Sequence, residues 1–138
     1  WGATPGTCTQ ASSSFTSSTT RIVTFTCTAG DGGAYPATAT NTSNTNMITG
    51  MFLDEVRTYP GSTGPTDGVY DITIKDVGGL DLMGGIMVNL SATLAQTWTP
   101  VRTAGVYGQR FVKGALTFAI AANAVAAATI VVDLIFIK

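Results

Sequence analysis

Acidic side chains are the residues of this sequence that could support acid–base chemistry. Two carboxylates that face each other can serve as general acid and as general base or nucleophile. Seven of the eight acidic residues are candidates: Asp54, Glu55, Asp67, Asp71, Asp76, Asp81 and Asp133. Asp54 and Glu55 are adjacent in a predicted strand, so their side chains point to opposite faces. The others fall in predicted turns or on a polar strand face, where Asp ordinarily stabilises the backbone, and no spacing marks a pair.

Histidine, the usual general base, is absent from the sequence. Ser-His-Asp and Cys-His arrangements therefore cannot be built. No glycine-rich loop is followed by Lys-Ser or Lys-Thr, so a phosphate-binding loop of the P-loop type is also missing. We therefore predict that the protein is not an enzyme, has no catalytic residue and uses no cofactor.

Cys8 and Cys27 are the two cysteines of the chain, and they flank a polar stretch. Such a pair can close one disulfide in an oxidising compartment, and two free thiols are the alternative that spacing does not exclude. A structural zinc site needs four Cys or His ligands, so none is predicted. Asp76 and Asp81 lack the dense Asp and Asn alternation of a calcium loop and indicate a turn. The sequence thus predicts no metal site.

Charged residues make up 11% of the chain, against about 25% in an average soluble protein. The formal net charge of −1 provides no basic surface for a phosphate backbone, so no nucleic-acid partner is predicted. Weak repulsion between copies and a surface of Ser, Thr, Asn and Gly favour stacking of subunits. We expect a homo-oligomer.

Alternating apolar residues predict strands at 21–28 and 70–75. A strand is also predicted at 47–59, where the apolar positions fit neither period cleanly but Thr, Tyr and Ile favour a strand, and another at 86–90. Glycine and proline turns separate these segments. Residues 1–20 are rich in Ser and Thr without apolar periodicity, which indicates an extended N-terminal arm or a loop. The predicted fold is all-β: an antiparallel, jelly-roll-like β-sandwich formed by a single domain over residues 21–138, preceded by the arm at 1–20.

The apolar run at residues 115–132 is interrupted only by Asn123. Its length would also allow one transmembrane helix. Strand-like flanks favour a final hairpin instead, with strands near 116–120 and 130–137, and we predict no membrane partner. The last strand is apolar on both faces, so it lies either at the centre of a sandwich or against another subunit. The candidate assembly surface is its first face: Ile130, Val132, Leu134 and Phe136.

Several segments resemble small β-rich virion structural proteins of tailed bacteriophages. They are residues 48–56, Tyr59-Pro60-Gly61, residues 65–68, residues 70–76, residues 79–85 and the closing segment 114–132. The resemblance covers most of the chain after Asn46. It implies a multi-copy subunit of the head, neck or tail surface and assigns no functional residue.

We therefore expect a non-catalytic structural subunit of a tailed-phage virion, either a capsid decoration protein or a head, neck or tail surface protein. Its partners would be copies of itself and other virion proteins, and its location the virion. One alternative is an extracellular filament or cell-surface subunit. Another is a glycan- or receptor-binding module that uses Tyr59, Trp98 or Tyr107 as a stacking platform.

Overall fold

The computed structural model describes residues 3–14 and 19–138. In these ranges the chain forms strands β1 (Thr7–Ser14), β2 (Thr20–Thr28), β3 (Thr38–Ala39), β4 (Phe52–Pro60), β5 (Asp71–Lys75), β6 (Gln96–Trp98), β7 (Arg110–Phe111), β8 (Thr117–Ala121) and β9 (Thr129–Ile137), helix α1 (Thr42–Ile48) and a 3₁₀ turn (Thr103–Gly105). The all-β fold with antiparallel sheets is confirmed. No helix in the described ranges is long and apolar enough to cross a membrane.

The large sheet has the strand order β1-β2-β9-β4-β6, and β7 also pairs with β4. β9 lies at its centre and is antiparallel to β2 over nine residue pairs and to β4 over eight. A bulge at Asp54 interrupts the β4 register between Leu53 and Glu55. The bulge explains why the apolar residues of this segment fit no single period.

The small sheet has the order β3-β8-β5 and packs face to face on the large sheet. Phe25 of β2 stacks on Phe118 of β8 with ring centroids 4.6 Å apart, which joins the two layers at the centre of the core. Ile72 and Ile74 of β5 complete the inner face of the small sheet. This is a sandwich-like arrangement, and its strand order does not confirm the finer jelly-roll prediction.

The predicted N-terminal arm is wrong for residues 7–14. This segment is strand β1, which pairs with β2 along its whole length at the edge of the large sheet. Of its inward-facing positions, Cys8 packs against the core but Gln10 and Ser12 are polar, so the apolar alternation of a strand is missing. Residues 1, 2 and 15–18 of the predicted arm lie outside the described ranges.

The last two strands are present, but the hairpin predicted between them is wrong. β8 pairs with β3 and β5, whereas β9 pairs with β2 and β4. Residues 122–128 therefore cross from one sheet to the other. Two smaller corrections concern predicted strands. The strand predicted at 47–59 begins only at Phe52, because 42–48 forms α1 after the N-cap Asn41. The segment 86–90 runs beside β5 without being a regular strand.

Candidate functional surface

The acidic side chains are dispersed, and most of them bind backbone N–H groups. Asp81 accepts hydrogen bonds from the N–H groups of Ile74, Met83 and Gly85. Asp76 accepts from Leu80 and Gly78, and these two bonds hold the pKa of the Asp76 carboxyl below its ordinary value. Both side chains therefore stabilise turns, as the sequence predicts.

The remaining acids make contacts of the same structural kind. Asp67 and Asp71 accept from backbone N–H groups in the loop 88–92. Glu55 accepts from Arg57 Nε at 2.7 Å, and Asp133 accepts from the Thr24 hydroxyl at 2.6 Å. In the described part of the chain, no group of three or more His, Cys, Asp or Glu side chains could hold a metal ion.

Cys8 and Cys27 form a disulfide between β1 and β2. The two residues lie directly opposite each other in the register, with Cα atoms 4.1 Å apart. Cys27 is completely buried and Cys8 packs against the core. The disulfide therefore fixes the edge strand to the sandwich at a position where β1 has little apolar surface.

The predicted assembly surface at Ile130, Val132, Leu134 and Phe136 is wrong. All four side chains are completely buried in the core between the two sheets. They are covered by this chain itself, so no second copy can contact them. The face of β9 that points away from the core carries Val131, Asp133, Ile135 and Ile137, each only partly covered.

The outer face of the large sheet has an apolar patch at one end. It consists of Ile22, Phe52, Phe111, Ile135 and Ile137, which the registers of β2, β9, β4 and β7 place side by side. Phe111 is 55% exposed, and its ring meets that of Phe52 edge to face at 5.7 Å. Partly exposed apolar residues on adjacent strands are typical of an interaction surface.

Beyond the apolar patch, the outer face carries a polar strip. Arg57 lies opposite Asp133 in the register, and Glu55 and Thr24 bind these two residues. Farther along β2, Thr26 is exposed. The patch is thus bounded by the Arg57–Glu55 ion pair and by the Asp133 carboxylate.

The three aromatic residues of the predicted stacking platform are not brought together. Tyr59 lies on the outer face of the large sheet and is 38% exposed. Trp98 lies opposite Val56, so it faces the core side and packs against it. Tyr107, 66% exposed, belongs to the loop before β7. No shared platform forms from these side chains.

Sequence reasoning missed the whole apolar patch. It noted that Ile135 and Ile137 lie on a second apolar face of the last strand, but it placed the assembly surface on the first face. Ile22 and Phe52 belong to predicted strands, but periodicity alone does not show which face of a strand points to solvent. Phe111 lies in a strand of two residues that has no periodic signal.

Comparison of the chain with protein families, curated proteins and solved structures finds no match. The resemblance to phage virion proteins therefore stays a prediction, and the proposal below depends on the geometry of the outer face.

Proposed function

We propose that the chain is a structural subunit of a tailed-phage virion, present in many copies, whose apolar patch docks on a neighbouring virion protein. The observation that carries the proposal is the patch itself. Five apolar side chains from four strands lie together on the solvent side of a sandwich whose interior is already filled.

The free energy for docking would come from covering this patch. Burial of apolar surface contributes about 25 cal/mol per Å², and monomeric proteins rarely leave large contiguous patches exposed. In the strip at Arg57, Glu55 and Asp133, Arg57 pairs with Glu55, and the Asp133 carboxylate accepts from the Thr24 hydroxyl. A partner could therefore cover the patch while the charged groups beside it keep these contacts.

Two further features fit this role. The low charge of the chain weakens repulsion between copies held close together. The Cys8–Cys27 disulfide suits a protein that works in an oxidising environment, such as the surface of a particle.

The disulfide also favours the second candidate, an extracellular filament or cell-surface subunit. The genes beside the coding sequence separate the two proposals. Capsid or tail genes are expected for the virion subunit, and secretion or surface-assembly genes for the alternative.

Light scattering tests the proposal. The mass of the purified chain is measured over a wide concentration range, both alone and mixed with neighbouring virion proteins. Ile135→Lys places a charge in the apolar patch and is expected to abolish association with the neighbouring virion proteins. The matched control Thr26→Lys adds the same charge on the same face at an exposed position outside the patch and should leave this association unchanged. Wild-type chain that stays monomeric in all mixtures would contradict the proposal, as would equal loss in both variants.

A further inference from the structure

The sandwich has four sheet edges, and three of them are short or covered. β6 and β7, which flank β4, have three and two residues, and β3 has two. β5 is longer, but Ile72 N–H already donates to Met87 O and the Ile74 carbonyl accepts from Leu82 N–H. Short strands and covering loops are the usual protection of an edge against pairing with another chain.

Within the described ranges, the fourth edge, β1, has none of these protections. It is eight residues long with the sequence TCTQASSS, which contains no charge and no proline. Its register with β2 runs through eight consecutive pairs, so no bulge twists it away. Thr9, Ala11, Ser12 and Ser13 are exposed. An uncharged, regular and open edge of this length is a template for strand pairing.

The backbone groups that β1 presents to solvent follow from the disulfide position. A Cα–Cα distance of 4.1 Å identifies Cys8 and Cys27 as a non-hydrogen-bonded pair, in which N–H and C=O point away from the partner strand. Because the pairs alternate, Cys8, Gln10, Ser12 and Ser14 all direct these groups to the free edge. In the described ranges, the backbone of Cys8, Gln10 and Ser12 makes no hydrogen bond outside the ladder with β2.

Hydrogen bonds of the Gln10 side chain also hold the edge strand in place. The Gln10 side chain donates to the Ala39 carbonyl at 2.7 Å and accepts from Asn41 N–H and Asn44 Nδ2, both at 3.0 Å. Together with the disulfide, these bonds fix β1 before any partner arrives. Pairing would then cost little additional conformational entropy.

We propose that β1 pairs antiparallel with β1 of a second copy, about a two-fold axis that passes beside Ala11. In this register Cys8 lies opposite the other Ser14, and Gln10 opposite the other Ser12. Each of the four presenting residues then enters a hydrogen-bonded pair, which gives about eight N–H···O bonds in total. Ala11 lies opposite Ala11 of the second copy in a non-hydrogen-bonded pair. Side chains come close together in such a pair, and a small uncharged side chain fits there.

A second copy suits this edge better than a charged partner strand, since TCTQASSS offers no charge to select one. The two-fold axis stands perpendicular to the sheet, so both outer faces lie on the same side of the joined sheet. The dimer therefore presents two apolar patches in one direction. This inference rests on the proposed function, because it names the partner and geometry by which copies of the subunit join.

The register is tested by cysteine cross-linking in the full chain, read by mass spectrometry without reduction. Ala11→Cys is expected to give a covalent dimer, because paired Cα atoms about 4.5 Å apart can form a disulfide. Thr9→Cys is the matched control. The two cysteines, one at position 9 of each subunit, would be about 14 Å apart and should not cross-link. Thr9→Cys mixed with Ser13→Cys should cross-link, since these positions face each other.

A second variant tests the hydrogen bonds without a new cysteine. Ser12→Pro removes an N–H that points to the free edge, and proline is tolerated on an edge strand at such a position. With one bond lost on each side of the axis, the dimer is expected to weaken about tenfold or more. An unchanged Cys8–Cys27 disulfide and thermal midpoint would show that the monomer is intact.

The outcomes separate this inference from the proposed function. If wild-type chain associates but Ala11→Cys does not cross-link, or cross-links no better than Thr9→Cys, the edge pairing is overturned and the proposed function stands. If Ala11→Cys cross-links efficiently but Ile135→Lys leaves binding to virion proteins unchanged, the edge pairing stands and the proposed function fails.

Discussion

Asn123 Oδ1 accepts hydrogen bonds from both the backbone N–H and the hydroxyl of Thr66, 57 residues earlier in the chain, at 2.9 and 3.2 Å. The same side chain donates through Nδ2 to the Gly33 carbonyl at 2.8 Å. It also bonds to both backbone groups of Val125. One amide thus connects three loops at the point where the chain crosses from the small sheet to the large one.

Replacement of Asn123 by Ala is expected to destabilise the fold by about 2–4 kcal/mol, because five hydrogen bonds of about 0.5–1.5 kcal/mol each are lost in a partly buried site. Asn123→Asp keeps the acceptor and lacks the donors, so its free energy of unfolding should decrease less than that of Asn123→Ala. The measurement is the free energy of unfolding in guanidinium chloride. Asn46→Ala, on the exposed side of α1, is the control and should change stability little; equal effects at 46 and 123 would contradict the prediction.

Removal of the disulfide in a Cys8→Ala/Cys27→Ala double variant is expected to cost about 3 kcal/mol, from the loop of about 20 residues that it closes. The loss should be concentrated at the edge of the large sheet. Hydrogen exchange is expected to accelerate in residues 7–14, which hold few apolar contacts, while β9 stays protected. Equal acceleration of exchange throughout the large sheet would contradict the prediction that the disulfide mainly stabilises β1.

Two phenylalanines on opposite sides of the large sheet should respond differently to truncation. Phe118 is buried against Phe25, so Phe118→Ala is expected to destabilise the chain by about 3–5 kcal/mol. Phe111 is 55% exposed, so Phe111→Ala should cost less than about 1 kcal/mol of stability while weakening association with the neighbouring virion proteins. Unfolding curves and light scattering on both variants check this. A Phe111→Ala protein that associates normally would argue against a role of the apolar patch.

Alkaline pH should weaken the fold through two tyrosines. Burial raises the pKa of Tyr35 and of Tyr70 to about 12, from an ordinary value of 10.0. Their hydroxyls donate to the carbonyls of Ala128 and Ser91. The folded chain therefore retains protons that the unfolded chain releases. The contribution of these two tyrosines to stability should be fully present below pH 10 and be lost as pH rises from about 10 to about 12.

Guanidinium chloride midpoints at pH 8, 10 and 11.5 measure this loss. Tyr70→Phe is less stable at pH 8 because the Ser91 carbonyl loses its donor, but its decline with pH should be shallower. Tyr107→Phe, at an exposed position, should keep the wild-type slope. If stability fell equally steeply with pH in both variants, the alkaline loss could not be assigned to Tyr70.

The strands with a regular alternation could be predicted from sequence. β2 and β5 place apolar side chains at every second position, and the structure contains both elements. β1 could not be found in this way, because Gln10 and Cys8 hold it by hydrogen bonds and a disulfide, and neither contributes to hydrophobic periodicity. The bulge at Asp54 similarly shifts the pattern within β4.

The candidate surface was harder to predict than the fold. β9 is apolar on both faces, so Ile130 and Ile135 are equally good surface candidates by composition. Which face points inward depends on the position of the small sheet. That position is set by long-range contacts such as Phe25 with Phe118 and Asn123 with Thr66, which leave no local signal.

The central claim is tested most directly by cryo-electron microscopy of the native particle that contains the chain. The account predicts many symmetry-related copies, each with Ile135 and Phe111 covered by a neighbouring virion protein. Copies whose apolar patch faces open solvent would contradict it.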